Sequence, residues 1–93
     1  MVNPYEEYLT GDAVIRTFYE NVKPDELVWH RDKNDRMVEV ISGDGWKLQM
    51  DNKVPQELNL GVQYYIKQME YHRLIKGKGT LRLKIWENKN DKI

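Results

Sequence analysis

The side chains best equipped for chemistry in this 93-residue chain are its two histidines, His30 and His72, and Asp32, two residues after the first. Two imidazoles and one carboxylate form the donor set of a facial triad, which holds a divalent ion and leaves open positions on it. In an extended segment residues i and i+2 leave the same face, so His30 and Asp32 can act together. His72 on a neighbouring strand would complete the set. His30, Asp32 and His72 are therefore the candidate metal ligands. Fe(II) used with oxygen suits such a centre, and Mn, Ni or Zn also fit its donors. The chain has no cysteine, which excludes thiolate ligands, a cysteine nucleophile and disulfides.

Arg36 has the same strand parity as Asp32, and that leaves two readings open. A guanidinium paired with Asp32 would make the carboxylate a poor ligand and leave a metal-free pocket with hydrogen-bonded histidines. An inward guanidinium without that pair would clamp a carboxylate or phosphate, so the pocket would take a small polar or acidic molecule. Arg31 and Arg73 have the opposite parity and are expected to point outward. Trp29, Trp46 and Tyr64 are candidate ligand-binding walls, with a place in the core as the alternative for the tryptophans. One Phe against six Tyr and three Trp makes the aromatic set amphipathic, as pockets and interfaces often are.

These residues need a scaffold, and the patterning supplies strands. Residues 1–12 are polar and predict an irregular lead-in. Ala13 to Val22 is rich in β-branched and aromatic types, followed by a turn at Lys23-Pro24-Asp25. Leu27 to Asp32 predicts a short strand, Arg36 to Ser42 a longer one, and Gly43-Asp44-Gly45 a hairpin turn. Trp46, Leu48 and Met50 alternate with polar residues, the mark of a strand with one buried face. Pro55 limits the next short strand to an edge. Val62 to Ile66, Tyr71 to Ile75 and Leu81 to Trp86 complete the set, with Gly77-Lys78-Gly79 as the final tight turn. In the last strand, Leu81, Leu83 and Ile85 face one way and Arg82, Lys84 and Trp86 the other; residues 87–93 are expected to fray. Seven or eight short strands separated by turns predict an all-β sandwich or barrel.

The two histidine blocks resemble the two motifs of the cupin family, a small jelly-roll β-barrel, over roughly residues 27–85. The family's first motif is a His-x-His pair, a Glu four or five residues on, and a Gly seven beyond that. His30 and Gly43 match it, while Asp32 replaces the second His and Arg36 the Glu. The second motif opens with Gly, carries Pro-x-Gly and places a His eleven residues after the first Gly. Gly61 and His72 keep that spacing, while Lys67 and Met69 replace the Pro and the Gly. The spacing is also similar to that of the small cupin-like proteins encoded by tailed bacteriophages of marine bacteria. The resemblance implies a small jelly-roll (cupin-like) barrel of about 7–8 strands with an internal pocket. The departures exclude a three-His, one-Glu site.

Composition bounds the rest. A chain of this length is one small domain, 1–93, with a modest core. No apolar run is long enough to span a membrane, and the acidic N-terminal stretch lacks the features of a secretory signal, so a cytoplasmic protein is expected. The 15 basic and 15 acidic residues balance, but residues 1–64 hold seven and twelve of them and residues 65–93 eight and three. Arg73, Lys76, Lys78, Arg82 and Lys84 form a candidate basic face, yet zero net charge disfavours a dedicated nucleic-acid binder. The expected function is binding of a small polar or anionic ligand, with a divalent metal if Asp32 is free. Whether it is an enzyme stays open. The alternative is a metal-free interaction module acting as a homodimer through exposed edge strands.

Overall fold

The computed structural model describes residues 4–88. Eight strands in two antiparallel sheets make up nearly all of its regular structure, as the alternation predicts. β1 (Glu6–Thr10), β2 (Ala13–Phe18), β8 (Lys78–Asn88), β3 (Asp35–Asp44) and β6 (Gln63–Ile66) lie side by side in that order. The second sheet has the order β5 (Gln56–Glu57), β4 (Lys47–Met50), β7 (His72–Ile75).

The register explains which side chains meet inside. Phe18 lies opposite Leu81, Arg16 opposite Leu83, and Val38 opposite Ile85, so β2, β8 and β3 present one apolar layer. Leu81, Leu83 and Ile85 are buried as their alternation predicts. Trp46 and Leu48 of the other sheet close over this layer with Leu27, Leu58 and Ile66. Trp46 has no exposed surface, and its indole N–H donates to the Lys78 carbonyl at 3.2 Å. The register of β3 against β8 shifts between Val40 and Ser42 and again before Asp44. Such bulges bend a strand, here just before the chain passes to the other sheet. Gly43 sits at that bend with φ 143°, and a Cβ there would come within 2.7 Å of Leu81 Cδ1.

Four expectations need correction. The polar lead-in contains β1, an edge strand paired with β2 from Glu6↔Thr17 to Thr10↔Ala13. Backbone pairing needs no apolar alternation, so nothing in the side chains announced it. Leu27 to Asp32 is not a strand. A short 3-10 helix, Pro24–Glu26, precedes it, and its one ladder contact is an isolated bridge at His30. Glu87 and Asn88 are not frayed: they pair with Arg36 and Asp35 at the end of β8. The rest of the expected tail, 89–93, lies outside the described residues. Lys78 and Gly79, read as a turn, already belong to β8.

Three residues of the candidate basic face make contacts with aromatic side chains. Arg73 stacks on Trp29, Arg82 donates to the Tyr8 hydroxyl and Lys84 lies over Trp86.

Candidate metal centre

The site is built on the backbone first. His30 N–H donates to His72 O at 3.0 Å and His72 N–H to His30 O at 2.9 Å. This reciprocal pair sets the two residues directly opposite one another, with ring centroids 4.4 Å apart. On the other face of the same bridge Arg73 covers Trp29 at 4.7 Å and Arg31 lies 5.1 Å from the Tyr71 ring. The two arginines thus point away from the site, as parity predicts, and brace the bridge from behind.

Both imidazoles are oriented alike. His30 Nδ1 lies 2.9 Å from the Val28 carbonyl and His72 Nδ1 2.8 Å from that of Glu70. A carbonyl oxygen only accepts, so Nδ1 carries the hydrogen in both rings. In the neutral tautomer that leaves each Nε2 with a lone pair, the arrangement in which a histidine binds a metal.

Asp32 faces them. Its Oδ2 lies 3.3 Å from His72 Nε2, yet it is buried and makes no hydrogen bond of acceptable geometry among the described residues. Its Oδ1 lies 3.5 Å from Arg36 Nη1. One oxygen therefore turns to the guanidinium and the other to the imidazoles, so Asp32 belongs to both partners. Burial by itself would raise the Asp32 carboxyl. The His72 contact, the Arg36 charge and the charge the two imidazoles carry when protonated outweigh it, and the group is held below the usual carboxylate range. It is a carboxylate at neutral pH.

One donor atom each from His30, Asp32 and His72 lies within 4.8 Å of the others. The fit to a divalent ion rests on the orphaned Oδ2. A carboxylate oxygen facing an imidazole lone pair is repelled unless something positive lies between them, a proton or a cation. The donors are those of a two-histidine, one-carboxylate centre, and they fit.

Asp32 is held from its own backbone. Its carbonyl accepts from Met69 N at 2.7 Å, while Asp35 Oδ1 accepts from Gln68 N at 2.7 Å. Met69 stands where the cupin motif has Gly, and it adopts φ 63°, the left-handed conformation that glycine favours. The two hydrogen bonds hold the chain in this conformation although the residue is not glycine. Met69→Gly is therefore expected to raise stability by about 0.5–1 kcal/mol, relief of left-handed strain exceeding the flexibility gained by the unfolded chain. Urea denaturation of the two proteins checks it.

Two of the three, His30 and Asp32, line a cavity of about 760 Å³ together with Arg36, while His72 is buried behind them. The sequence reading missed most of its walls: Tyr5, Arg16, Phe18, Leu27, Val28 and Leu74. Arg16 shares its inward face with Val14 and Phe18, but Ile15 on the other face is also buried, so alternation along β2 gave no sign of it. Of the expected wall residues none lines the cavity. Trp46 is core, and Trp29 lies behind the bridge. The Tyr64 hydroxyl donates to Glu57 O and accepts from Asn59 N, tying β6 to the chain before it.

No protein-family model matches the sequence, and no curated protein matches it. Solved structures do match in shape. A cupin domain from Bordetella pertussis superposes with a TM-score of 0.62 at 17% identity, over 95% of this chain and 98% of that one. The fold is that of a cupin. KdgF from Halomonas sp. shares the cupin fold at a TM-score of 0.64 and 13% identity, over 94% of this chain and 79% of its own. The Fe(II) form of HppE with substrate scores 0.64 at 16% identity, with 91% of this chain matched. This chain spans about half of HppE, 53% of its length. At these identities the likeness concerns the fold.

Proposed function

We propose that this cupin-fold chain holds a divalent metal ion on His30, Asp32 and His72 and uses it to bind a small polar or anionic molecule in the adjoining cavity. The observation that carries this is the pair of imidazoles, each with Nδ1 committed to a carbonyl, beside a buried carboxylate oxygen with no hydrogen bond among the described residues. Structures of the neighbour HppE with Fe(II) and with Co(II) lend support, since they show that this fold can hold such ions. Fe, Mn, Ni and Zn all suit the donors. When bound, the ion supplies Lewis acidity or oxygen activation. The chain's part is to present the donors, exclude water with its apolar walls and orient the ligand.

A metal-free module remains the second reading, favoured by the Arg36–Asp32 contact. A second copy of the chain is its natural partner, because β1 has no neighbouring strand on its outer edge among the described residues. A cytoplasmic location and a phage-type origin stay with this proposal, supported by the composition and the motif spacing.

Titration of metal-free, untagged protein with Co(II) and Zn(II) tests the reading. One ion per chain is expected, with both histidine ring signals moving in the NMR spectrum. Sub-stoichiometric uptake that leaves those rings undisturbed would sink it.

A further inference from the structure

Two guanidinium groups line the cavity, and their circumstances differ. Arg16 is fully engaged: its Nε and Nη2 both contact the Glu7 carboxylate, and the Tyr5 ring covers its face at 3.9 Å. Arg36 is mostly buried, with a side chain 18% exposed, yet none of its donors makes a hydrogen bond among the described residues. Asp32 and Glu87 stand at 3.5 Å from Nη1 and Nη2, too far for strong charge-assisted bonds, and Nε is buried with no partner. A forked donor held only by two 3.5 Å ion pairs, with Nε unpaired among the described residues, can still take an acceptor with two oxygens from the cavity.

The charges select among such acceptors. Arg36, Asp32 and Glu87 together carry one negative charge, which a divalent ion on the triad turns into one positive charge. A singly charged anion neutralises that; a doubly charged phosphate would overshoot. Asp25 and Glu26 also line the cavity, but both are exposed and screened by solvent. The walls select the remainder of the molecule. Phe18 and Tyr5 meet edge to face at 5.3 Å, and Leu27, Val28 and Leu74 add aliphatic surface. A cavity of this size admits a ligand well beyond acetate.

We infer that the cavity takes a monocarboxylic acid with an apolar, ring-sized body, its carboxylate shared between Arg36 and the metal and its body against Phe18, Leu27 and Leu74. This rests on the metal-centre reading and narrows it to a ligand class.

Zn(II)-loaded and metal-free protein should be titrated by calorimetry with phenylacetate, acetate, benzyl alcohol and inorganic phosphate. Phenylacetate is expected to bind the loaded form at least about tenfold more tightly than acetate, from burial of the ring. It should also outcompete phosphate and the uncharged alcohol. Arg36→Gln should weaken phenylacetate by about tenfold or more while Zn(II) uptake persists. A loaded protein that prefers phosphate, ignores the ring, or binds phenylacetate equally well in Arg36→Gln overturns the inference and leaves the metal centre standing. If no Zn(II) is taken up, the metal reading fails by itself. Phenylacetate then decides the ligand class alone: binding that Arg36→Gln removes upholds it, and no binding overturns it. Because the ligand series uses the unaltered chain, the outcome stands even where Arg36→Gln does not fold.

Discussion

An asparagine in place of Asp32 is expected to lower divalent-ion affinity by more than about a hundredfold, since disturbing the partners behind a ligand already costs about 10- to 100-fold. The substitution keeps the side chain's shape and removes its charge, so the loss reports on ligation. The metal-free fold should change by no more than about 1 kcal/mol. Arg36 keeps its Glu87 contact, and an amide can donate to the His72 Nε2 lone pair that now faces Oδ2. If Asp32 served only as the partner of Arg36, the results would reverse: metal uptake unchanged, and a loss of about 3–5 kcal/mol from breaking a buried pair. Calorimetric Zn(II) titration and urea denaturation of the two proteins separate these outcomes. The pH dependence adds a sign. The Asp32 carboxyl lies lower in the folded chain than in the unfolded one. Its stabilising contribution is complete above the unfolded value and is lost as pH falls through the folded value. The metal-free wild-type chain should therefore shed that stability in acid while the asparagine variant does not, and their melting temperatures should converge.

Gly77→Ala should destabilise the fold by about 3 kcal/mol or more and lower the melting temperature by roughly 10–20 °C. An added Cβ at Gly77 would overlap three backbone atoms, the Asp44 carbonyl oxygen, Gly45 C and Trp46 N, and none of these can swing aside as a side chain would. The connection from β7 to β8 lies here against the connection from β3 to β4. The Trp46 indole bond to Lys78 O and the Asp44↔Lys78 pairing fasten the same crossing. Gly79 is the control: it has φ 68° and open space around it, so alanine there meets only left-handed strain, about 1–2 kcal/mol. Equal melting shifts at the two glycines would contradict the steric account. Because the crossing joins the sheet that carries His72 to the sheet that carries Arg36, metal affinity should fall with Gly77→Ala as well.

The features legible in the sequence were those that depend on side-chain parity. Leu81, Leu83 and Ile85 announced the inner face of β8, and the outward course of Arg31 and Arg73 followed from the same rule. His30, Asp32 and His72 come together as their spacing implied, although a single bridge rather than a strand sets His30 against His72. Features resting on backbone pairing or on contact between distant loops left no such trace. The Glu-rich β1 is exposed along nearly its whole length, so no alternation marked it. Arg16 reaches the cavity from a strand buried on both faces. Trp46 could have served the pocket or the core equally well by type, and only the closure of the second sheet over β8 decides for the core. Met69 shows the converse: a left-handed turn survives where the glycine that would have signalled it is gone.

The reciprocal bond between His30 and His72 also governs how long the site lasts. Both amides are committed to that bridge, so the two backbones cannot part here without releasing these two N–H groups to solvent. If the proposed ion is bound, parting its two histidine ligands at the backbone would require this local opening, so the bridge would hold the donors together in addition to the donor bonds themselves.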